Sequence, residues 1–229
     1  MTTITWYGHA AFGIADGDNS LLVDPFLTGN PTAAVAAGDV MPTAILVTHG
    51  HSDHLGDAAD ISKRTGAPVV AAYELGLFLG AQGVNVTPGN IGGTVAAGEV
   101  AVKFVPAVHS SAVGGEDGSF AAPCVPAGFV VRLNGKTIYV AGDTALFGDM
   151  ELIGDEGLDV AIIPIGGQYT MDAADAVKAV AKLRPKIVIP GHYNTFPTIA
   201  ADPAAFAAAV AASTKARVIV LEPGQSAEV

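Results

Sequence analysis

The chain has a single cysteine, Cys124, among its 229 residues. One cysteine excludes an internal disulfide and fits a reducing compartment. We interpret Cys124 as an ordinary small residue at a strand edge. A catalytic thiol, activated by one of the histidines elsewhere in the chain, is the alternative interpretation.

Lysine and arginine are also scarce, because 11 basic residues stand against 22 acidic ones and the formal net charge at pH 7 is −11. The basic residues are scattered along the chain rather than clustered. Nucleic-acid surfaces gather lysine and arginine to neutralise phosphates, so this balance argues against a nucleic-acid partner. Bound divalent cations would offset part of the negative charge, and the remainder is typical of an acidic surface that keeps a protein soluble.

Long hydrophobic runs are absent, although half of the residues are hydrophobic. No run approaches the roughly 18 apolar residues that predict a membrane-spanning helix, so we expect no membrane partner. Residues 1–6 have neither a basic leader nor an apolar signal segment, and we therefore expect a cytoplasmic location. The length and the lack of an interdomain linker favour one domain over residues 1–229.

What the sequence does contain is a dense polar cluster in the stretch THGHSDH, residues 48–54. Three imidazoles and a carboxylate share six consecutive positions: His49, His51, Asp53 and His54. Apolar residues 44–47 precede them and indicate a buried strand, so we predict that the cluster occupies a loop at a strand end. A neutral imidazole has one donor and one acceptor that need partners when buried, and a divalent metal satisfies the acceptor directly.

Three more polar residues follow predicted strands in the same way. His109 comes after strand 100–105, Asp143 after the hairpin 129–141, and His192 after strand 187–189. A common sheet edge is the economical explanation for this repeated placement. Together with the cluster they make seven nitrogen and carboxylate ligands, enough for two metal ions that share a carboxylate and leave a position for water.

The order of predicted elements indicates the architecture. Strands come first, then βα units, then a hairpin whose Asn134-Gly135 turn suits type I′, then more βα units. Asp202 followed by Pro203 predicts the start of a helix over 203–213. Residues 89–98 are predicted to be turn-rich, 110–126 to form a loop beside the site, and 218–221 to form the last strand. We expect an α/β protein with two sheets packed face to face and helices outside.

These motifs resemble those of hydrolases of the metallo-β-lactamase superfamily: THGHSDH matches HxHxDH, and "VH" at His109, "GDT" at Asp143 and "PGHYNTFP" at His192 follow in order. Within the superfamily, "YGHA", "LVDPF", "PIGGQYTM" and "HYNTFP" resemble a small bacterial branch of metal-dependent hydrolases related to L-ascorbate 6-phosphate lactonase. The resemblance implies a four-layer αββα sandwich with two mixed sheets. It also implies two divalent metal ions, with zinc as the first choice and manganese, iron or nickel as alternatives.

The resemblance implies a role for each ligand. The first metal would be held by His49, His51 and His109, the second by Asp53, His54 and His192, and Asp143 would bridge them. A hydroxide generated between the metals would attack a carbonyl or phosphoryl centre.

The residues around these ligands have more than one interpretation. The catalytic residues are expected to include the carboxylates Asp53 and Asp143. His9 in YGHA either joins them, by contacting the substrate or donating a proton, or makes a plain structural hydrogen bond. Asp24 either orients a metal-bound histidine or serves as a turn residue before proline.

The pocket is expected to include Tyr169, Asn194 and Thr195. Tyr169 either supports an oxyanion or packs. Gly191 departs from the branch, which often has methionine there, and this change would widen the pocket or loosen the loop.

The function that we expect is a metal-dependent hydrolase acting on a small-molecule lactone, ester or phosphoester. A nuclease of the same superfamily is one alternative, but the chain has no basic insertion to grip RNA. A catalytically silent metal- or ligand-binding module is the other. Homo-oligomerisation is compatible with the resemblance.

Overall fold

Two seven-stranded mixed sheets dominate the computed structural model, which describes residues 1–115 and 117–229. In spatial order the first sheet contains β16 (Ser226–Glu228), β1 (Thr3–Gly8), β2 (Ala11–Asp16), β3 (Asn19–Val23), β4 (Ala44–Leu46), β5 (Val69–Ala72) and β6 (Val86–Gly89). The second contains β15 (Arg217–Val218), β14 (Ile187–Gly191), β13 (Val160–Pro164), β12 (Lys136–Val140), β11 (Ala127–Leu133), β8 (Val100–Pro106) and β7 (Thr94–Ala97). A separate pair of short strands is formed by β9 (Val113–Gly114) and β10 (Phe120–Ala121).

The helices cover the outer faces of the two sheets. Their bounds are α1 (Ser52–Leu55), α2 (Ala58–Thr65), α3 (Tyr73–Gly80), α4 (Met150–Gly154), α5 (Ala173–Leu183) and α6 (Pro203–Ser213), with a 3-10 turn at Pro197–Ile199. Helices α2 and α3 pack against β5 and β6, whereas α5 and α6 pack against β13 and β15. The predicted four-layer αββα sandwich is therefore confirmed. Within the described residues, the helices are all too short or too polar to cross a membrane.

Apolar side chains from both sheets form one large core. Phe12 and Leu46 of the first sheet belong to the same buried cluster as Phe104 and Phe129 of the second. The rings of Phe104 and Phe129 meet edge to face across paired strands, with centroids 5.2 Å apart. A second buried cluster fills the space between the first sheet and α2 and α3. These two buried clusters hold the strand ends in fixed positions relative to one another.

Two local predictions are confirmed in detail. Asn134 and Gly135 have φ of 47° and 76°, the left-handed values that a type I′ turn requires, and they join β11 to β12. The Asp202 carboxylate accepts hydrogen bonds from the backbone N–H groups of Ala204 and Ala205, and α6 begins at Pro203 as predicted.

Other local predictions were wrong. Asp53 and His54 lie in α1 rather than in a loop, and the turn-rich stretch contains β7, which pairs with β8. The loop beside the site contains β9 and β10. The last predicted strand, 218–221, overlaps the observed β15 (Arg217–Val218) only at Val218, and β16 was not predicted. Strand β16 is short and polar, and its ladder hydrogen bonds go to β1 at the far end of the chain, so local sequence gives no sign of it.

Candidate metal centre

Six strands deliver polar side chains to one edge of the sandwich. Strands β1, β3 and β4 of the first sheet run in the same direction, as do β8, β12 and β14 of the second. The residues that follow their carboxyl ends are His9, Asp24, His49, His109, Asp143 and His192. The common edge that the sequence predicted is present.

The seven predicted ligands come together in overlapping groups. The first group has the ligand atoms of His49, His51 and His109 within 4.8 Å of one another. The second contains Asp53, His54 and His192, with His9 as an additional member. A third group, His49, His54 and Asp143, connects the other two.

Asp143 lies between the two main groups. Its Oδ1 is 3.2 Å from Nε2 of His54, and its Oδ2 is 3.3 Å from Nε2 of His192 and 3.6 Å from Nε2 of His109. The side chain is only 4% exposed. One buried carboxylate thus contacts histidines of both groups, as a shared ligand must.

Several buried polar atoms in this cluster make no hydrogen bond of good geometry within the described part of the chain, although some of them lie 3.2–3.3 Å from one another or from Asp143. They are Nε2 of His54, Oδ1 of Asp143 and both ring nitrogens of His192. Leaving such atoms unpaired costs roughly 1–3 kcal/mol each. Nitrogen and carboxylate donors that converge without partners are the donor set that divalent transition metals prefer. The residues present therefore fit a metal site.

A second layer of hydrogen bonds orients His54. Its Nδ1 lies 2.8 Å from Oδ2 of Asp24, and the same carboxylate accepts hydrogen bonds from the backbone N–H of Thr48 at 2.8 Å and from its hydroxyl at 2.7 Å. An Nδ1–H donated to Asp24 leaves the Nε2 lone pair directed at the cluster. Of the two interpretations of Asp24, the orienting one matches this geometry.

His9 is held from both sides. Its Nε2 lies 3.1 Å from Oδ2 of Asp53, and its Nδ1 lies 2.9 Å from Oγ1 of Thr195. Its backbone carbonyl accepts hydrogen bonds from the Trp6 indole and from the His192 N–H, which fixes a residue whose φ is +53°. His9 thus contacts the cluster through Asp53.

The electrostatics of the cluster favour a bound cation. Burial lowers the pKa of His49 well below its usual range, which keeps this imidazole neutral and its lone pair free. Burial alone would raise the pKa of Asp143, but the neighbouring rings of His54 and His192 hold it well below its usual range. Burial alone would lower the pKa of His54, but the carboxylates of Asp143 and Asp24 raise it well above. Positive charge is stabilised at the centre of the cluster.

Comparison with known proteins agrees with this picture. Residues 3–192 match the family model described as the Beta-lactamase superfamily domain. Over 227 residues the sequence is 48% identical to a UPF0173 metal-dependent hydrolase of Archaeoglobus fulgidus, covering 98% of both chains. The chain belongs to the UPF0173 metal-dependent hydrolases of the beta-lactamase superfamily.

Further relatives agree with this assignment. A UPF0173 metal-dependent hydrolase of Thermus thermophilus is 48% identical over 207 residues, 90% of each chain. The solved structure of Igni18, a metallo hydrolase from Ignicoccus hospitalis, superimposes with a TM-score of 0.88 at 36% identity, covering 99% of this chain and 97% of that one. The predicted superfamily, fold and metal-dependent hydrolase class are confirmed. The relation to L-ascorbate 6-phosphate lactonase stays a prediction.

In this UPF0173 hydrolase a cavity of about 380 Å³ opens beside the cluster. Asp53 and Asp143 reach its wall, and so does Tyr169, one of the predicted pocket residues. Phe120 of β10 also lines the cavity and was not predicted. The signal in the sequence that could have identified Phe120 was an aromatic residue within a stretch rich in glycine, serine and alanine.

The other two predicted pocket residues differ in position. Thr195 is buried beneath His9, to which it is hydrogen-bonded. That Asn194 lines the pocket stays a prediction. Asn194 is exposed with φ of +57°, and its Oδ1 accepts a hydrogen bond from the backbone N–H of Ala201, which stabilises the loop after β14.

The glycine before His192 has a packing explanation. A Cβ atom at Gly191 would lie 2.8 Å from the ring of Phe12, closer than a side chain can approach. Phe12 occupies the space that a larger residue would need, and the expected widening of the pocket or loosening of the loop stays a prediction. Glycine here accommodates a neighbouring aromatic ring.

Cys124 lies in the loop between β10 and β11 rather than at a strand edge. Its Sγ is 2.9 Å from Oγ of Ser111, and burial raises the pKa of the thiol. A raised pKa disfavours the thiolate that a catalytic cysteine needs. The interpretation of Cys124 as an ordinary small residue is the better one.

Proposed function

We propose that this hydrolase binds two divalent ions and hydrolyses a small-molecule lactone, ester or phosphoester. One observation carries the proposal: Asp143 lies between two groups of ligand atoms, each group within 4.8 Å. A single ion needs about four ligands, whereas seven are gathered here.

The grouping of the ligand atoms supports a role for each ligand. The first ion would be held by His49, His51 and His109, the second by Asp53, His54 and His192, and Asp143 would be shared. Five imidazoles and two carboxylates suit zinc, and manganese, iron or nickel are the alternatives.

The ions and the protein have different tasks. When bound, two divalent ions would polarise the carbonyl or phosphoryl oxygen of the substrate and lower the pKa of a water towards neutrality. The Asp53 carboxylate is 35% exposed at the cavity wall, where it can accept a proton from the attacking water. Nε2 of His9 orients this carboxylate, and His9 can return the proton to the leaving group.

Metal quantification combined with a substrate panel tests the proposal. We expect about two transition-metal ions per chain and hydrolysis of at least one lactone, ester or phosphoester. Asp143→Asn and His51→Ala should each lose at least ~100-fold in turnover while circular dichroism stays unchanged. Asp16→Asn, whose carboxylate contacts Thr2 far from the cluster, is the matched control.

Two results would reject the proposal. One is the absence of metal together with no hydrolysis after zinc or manganese is added; the other is unchanged turnover in both ligand variants. Cleavage of structured RNA would favour a nuclease, and metal uptake without any turnover would favour a binding module.

We also propose that the chain acts as one domain over residues 1–229, in the cytoplasm, on small molecules rather than nucleic acid. The single cysteine and the formal charge of −11 support this.

A further inference from the structure

The cavity wall carries two exposed aromatic side chains. Phe120 is 77% exposed and Tyr169 is 57% exposed, and both lie on the cavity that reaches Asp143. Phe120 comes from β10 and Tyr169 from the loop after β13, so two separate segments bring aromatic rings to the same opening. Aromatic side chains left open beside reactive groups are suited to bind an apolar part of a ligand.

The same wall lacks basic side chains among its described residues. Its carboxylate and imidazole groups belong to Asp53, Asp143, His51 and His109. Basic residues form ion pairs away from the cavity. Lys103 and Arg132 contact Glu156. Lys186 contacts Asp159, and these two residues lie just before strands β14 and β13, at the opposite edge of the sheet. The described lining of the cavity therefore offers no lysine or arginine to an anion.

A phosphoester and a carboxylic ester make different demands on such a cavity. Phosphoryl groups carry negative charge on several oxygens, and sites for them usually add arginine or lysine to the metal ions. An anionic substrate would also approach a protein with a formal charge of −11. A neutral ester or lactone needs only one polarised oxygen and gains from contact with the aromatic rings.

We infer, on the basis of the proposed hydrolase function, that the substrate is an uncharged carboxylic ester or lactone whose apolar portion packs on Phe120 and Tyr169. In the reaction the oxygen of water bonds to the carbonyl carbon and the carbon–oxygen ester bond breaks. One proton of the water passes to Asp53 and reaches the leaving oxygen by way of His9. The products are a carboxylic acid and an alcohol, joined in one molecule when the substrate is a lactone.

Esters that all release p-nitrophenol test this selectivity in the metal-loaded enzyme. The panel is p-nitrophenyl acetate, p-nitrophenyl butyrate, p-nitrophenyl phosphate and bis(p-nitrophenyl) phosphate. Each methylene buried on the wall should improve kcat/KM by about fourfold, so butyrate, with two more methylenes, should exceed acetate by roughly 15-fold. Both phosphoesters should be poorer substrates than the butyrate ester.

Substitutions of the wall identify the residues responsible. Phe120→Ala and Tyr169→Ala should each lower the butyrate-to-acetate ratio at least threefold, whereas Tyr169→Phe should keep it because the ring remains. Leu77→Ala removes another exposed apolar side chain, on α3 and away from the cavity, and should also keep the ratio. Phosphoester turnover above that of the butyrate ester, or a ratio that both alanine variants leave unchanged, would overturn the inference.

Binding separates this inference from the proposed function. If the metal-loaded protein hydrolyses nothing on this panel and no lactone, the hydrolase proposal fails. Calorimetric titration with butyrophenone, an uncleavable ketone, and with phenylphosphonate then decides the specificity. Ketone binding that exceeds phosphonate binding and weakens in Phe120→Ala supports the aromatic wall; undetectable ketone binding, or stronger phosphonate binding, refutes it.

Discussion

Oδ2 of Asp24 and Nδ1 of His54 are 2.8 Å apart, and both side chains are fully buried. Asp24 has φ of +41°, a left-handed conformation that a non-glycine residue adopts at a cost of about 1–3 kcal/mol. Two hydrogen bonds from Thr48 hold the carboxylate in place. The orientation of one candidate ligand thus depends on a residue 30 positions earlier in the chain.

Asp24→Asn should weaken metal binding. The amide cannot replace the carboxylate that accepts from both His54 and Thr48, so the Nε2 lone pair of His54 loses its direction. Losing such a partner typically costs 10–100-fold in metal affinity. Competition with a chromogenic chelator measures the effect, and Asp16→Asn is the control. Equal affinity in Asp24→Asn and the wild type would show that His54 needs no orienting partner.

Thr195→Val should impair catalysis through His9. Valine keeps the shape of threonine but removes the hydroxyl 2.9 Å from Nδ1 of His9, so the ring can turn away from Asp53. We expect kcat to fall by roughly tenfold, less than the 10²–10⁴ associated with losing an acid–base group outright. Thr195→Ser should restore the rate, and the pH profile of kcat should shift only in the valine variant. A serine variant as slow as valine would point to packing instead.

Gly191→Ala should destabilise the fold because of Phe12. The new methyl group would meet the ring at 2.8 Å, and overpacking of this kind costs about 1–3 kcal/mol. Truncating the ring in Phe12→Ala costs about 3–5 kcal/mol by itself. The double variant should lose less stability than the sum of the two single variants, since the truncated side chain makes room. Denaturant titration gives all three values, and strict additivity would contradict the clash.

Glu156→Gln should make stability less dependent on pH. The Lys103 hydrogen bond holds the pKa of Glu156 below its usual range, and Arg132 adds to this. A depressed pKa contributes stability above the unfolded value of about 4.3, and this contribution is lost as pH falls through the lower folded pKa. The variant should lose roughly 0.5–1 kcal/mol at pH 7 after solvent screening, and the difference should disappear at acidic pH.

Denaturation at pH 7 and at pH 3 provides the measurement for Glu156. Asp175→Asn is the matched control, because its pair with Lys178 is exposed and should contribute less. A difference between Glu156→Gln and the wild type that grows as the pH falls would refute the assigned sign.

Local signals predicted the elements that local chemistry determines. Asp202 and Pro203 fixed the start of α6, and Asn134-Gly135 fixed the β11–β12 turn, because caps and turns act within a few residues. The polar residues at strand ends were predicted for a similar reason: a buried strand is visible in the sequence, and so is the residue that follows it.

Long-range pairings account for what the sequence did not predict. Strand β16 depends on β1, and the role of Asp24 depends on His54 and Thr48. The cavity wall at Phe120 depends on how β9 and β10 fold over the cluster. None of these contacts leaves a periodic pattern, since each is determined by how distant segments pack.

The hydrogen bond between His9 and Thr195 joins residues 186 positions apart. We expect such a contact to form only after both sheets have docked, because closing so long a loop is entropically costly until the intervening layers are in place. The cluster is therefore expected to assemble late in folding. A ligand that binds only the assembled cluster stabilises the docked arrangement of the two sheets. The resistance of the protein to local opening and to proteolysis therefore rises with the fraction of clusters that hold the ligand.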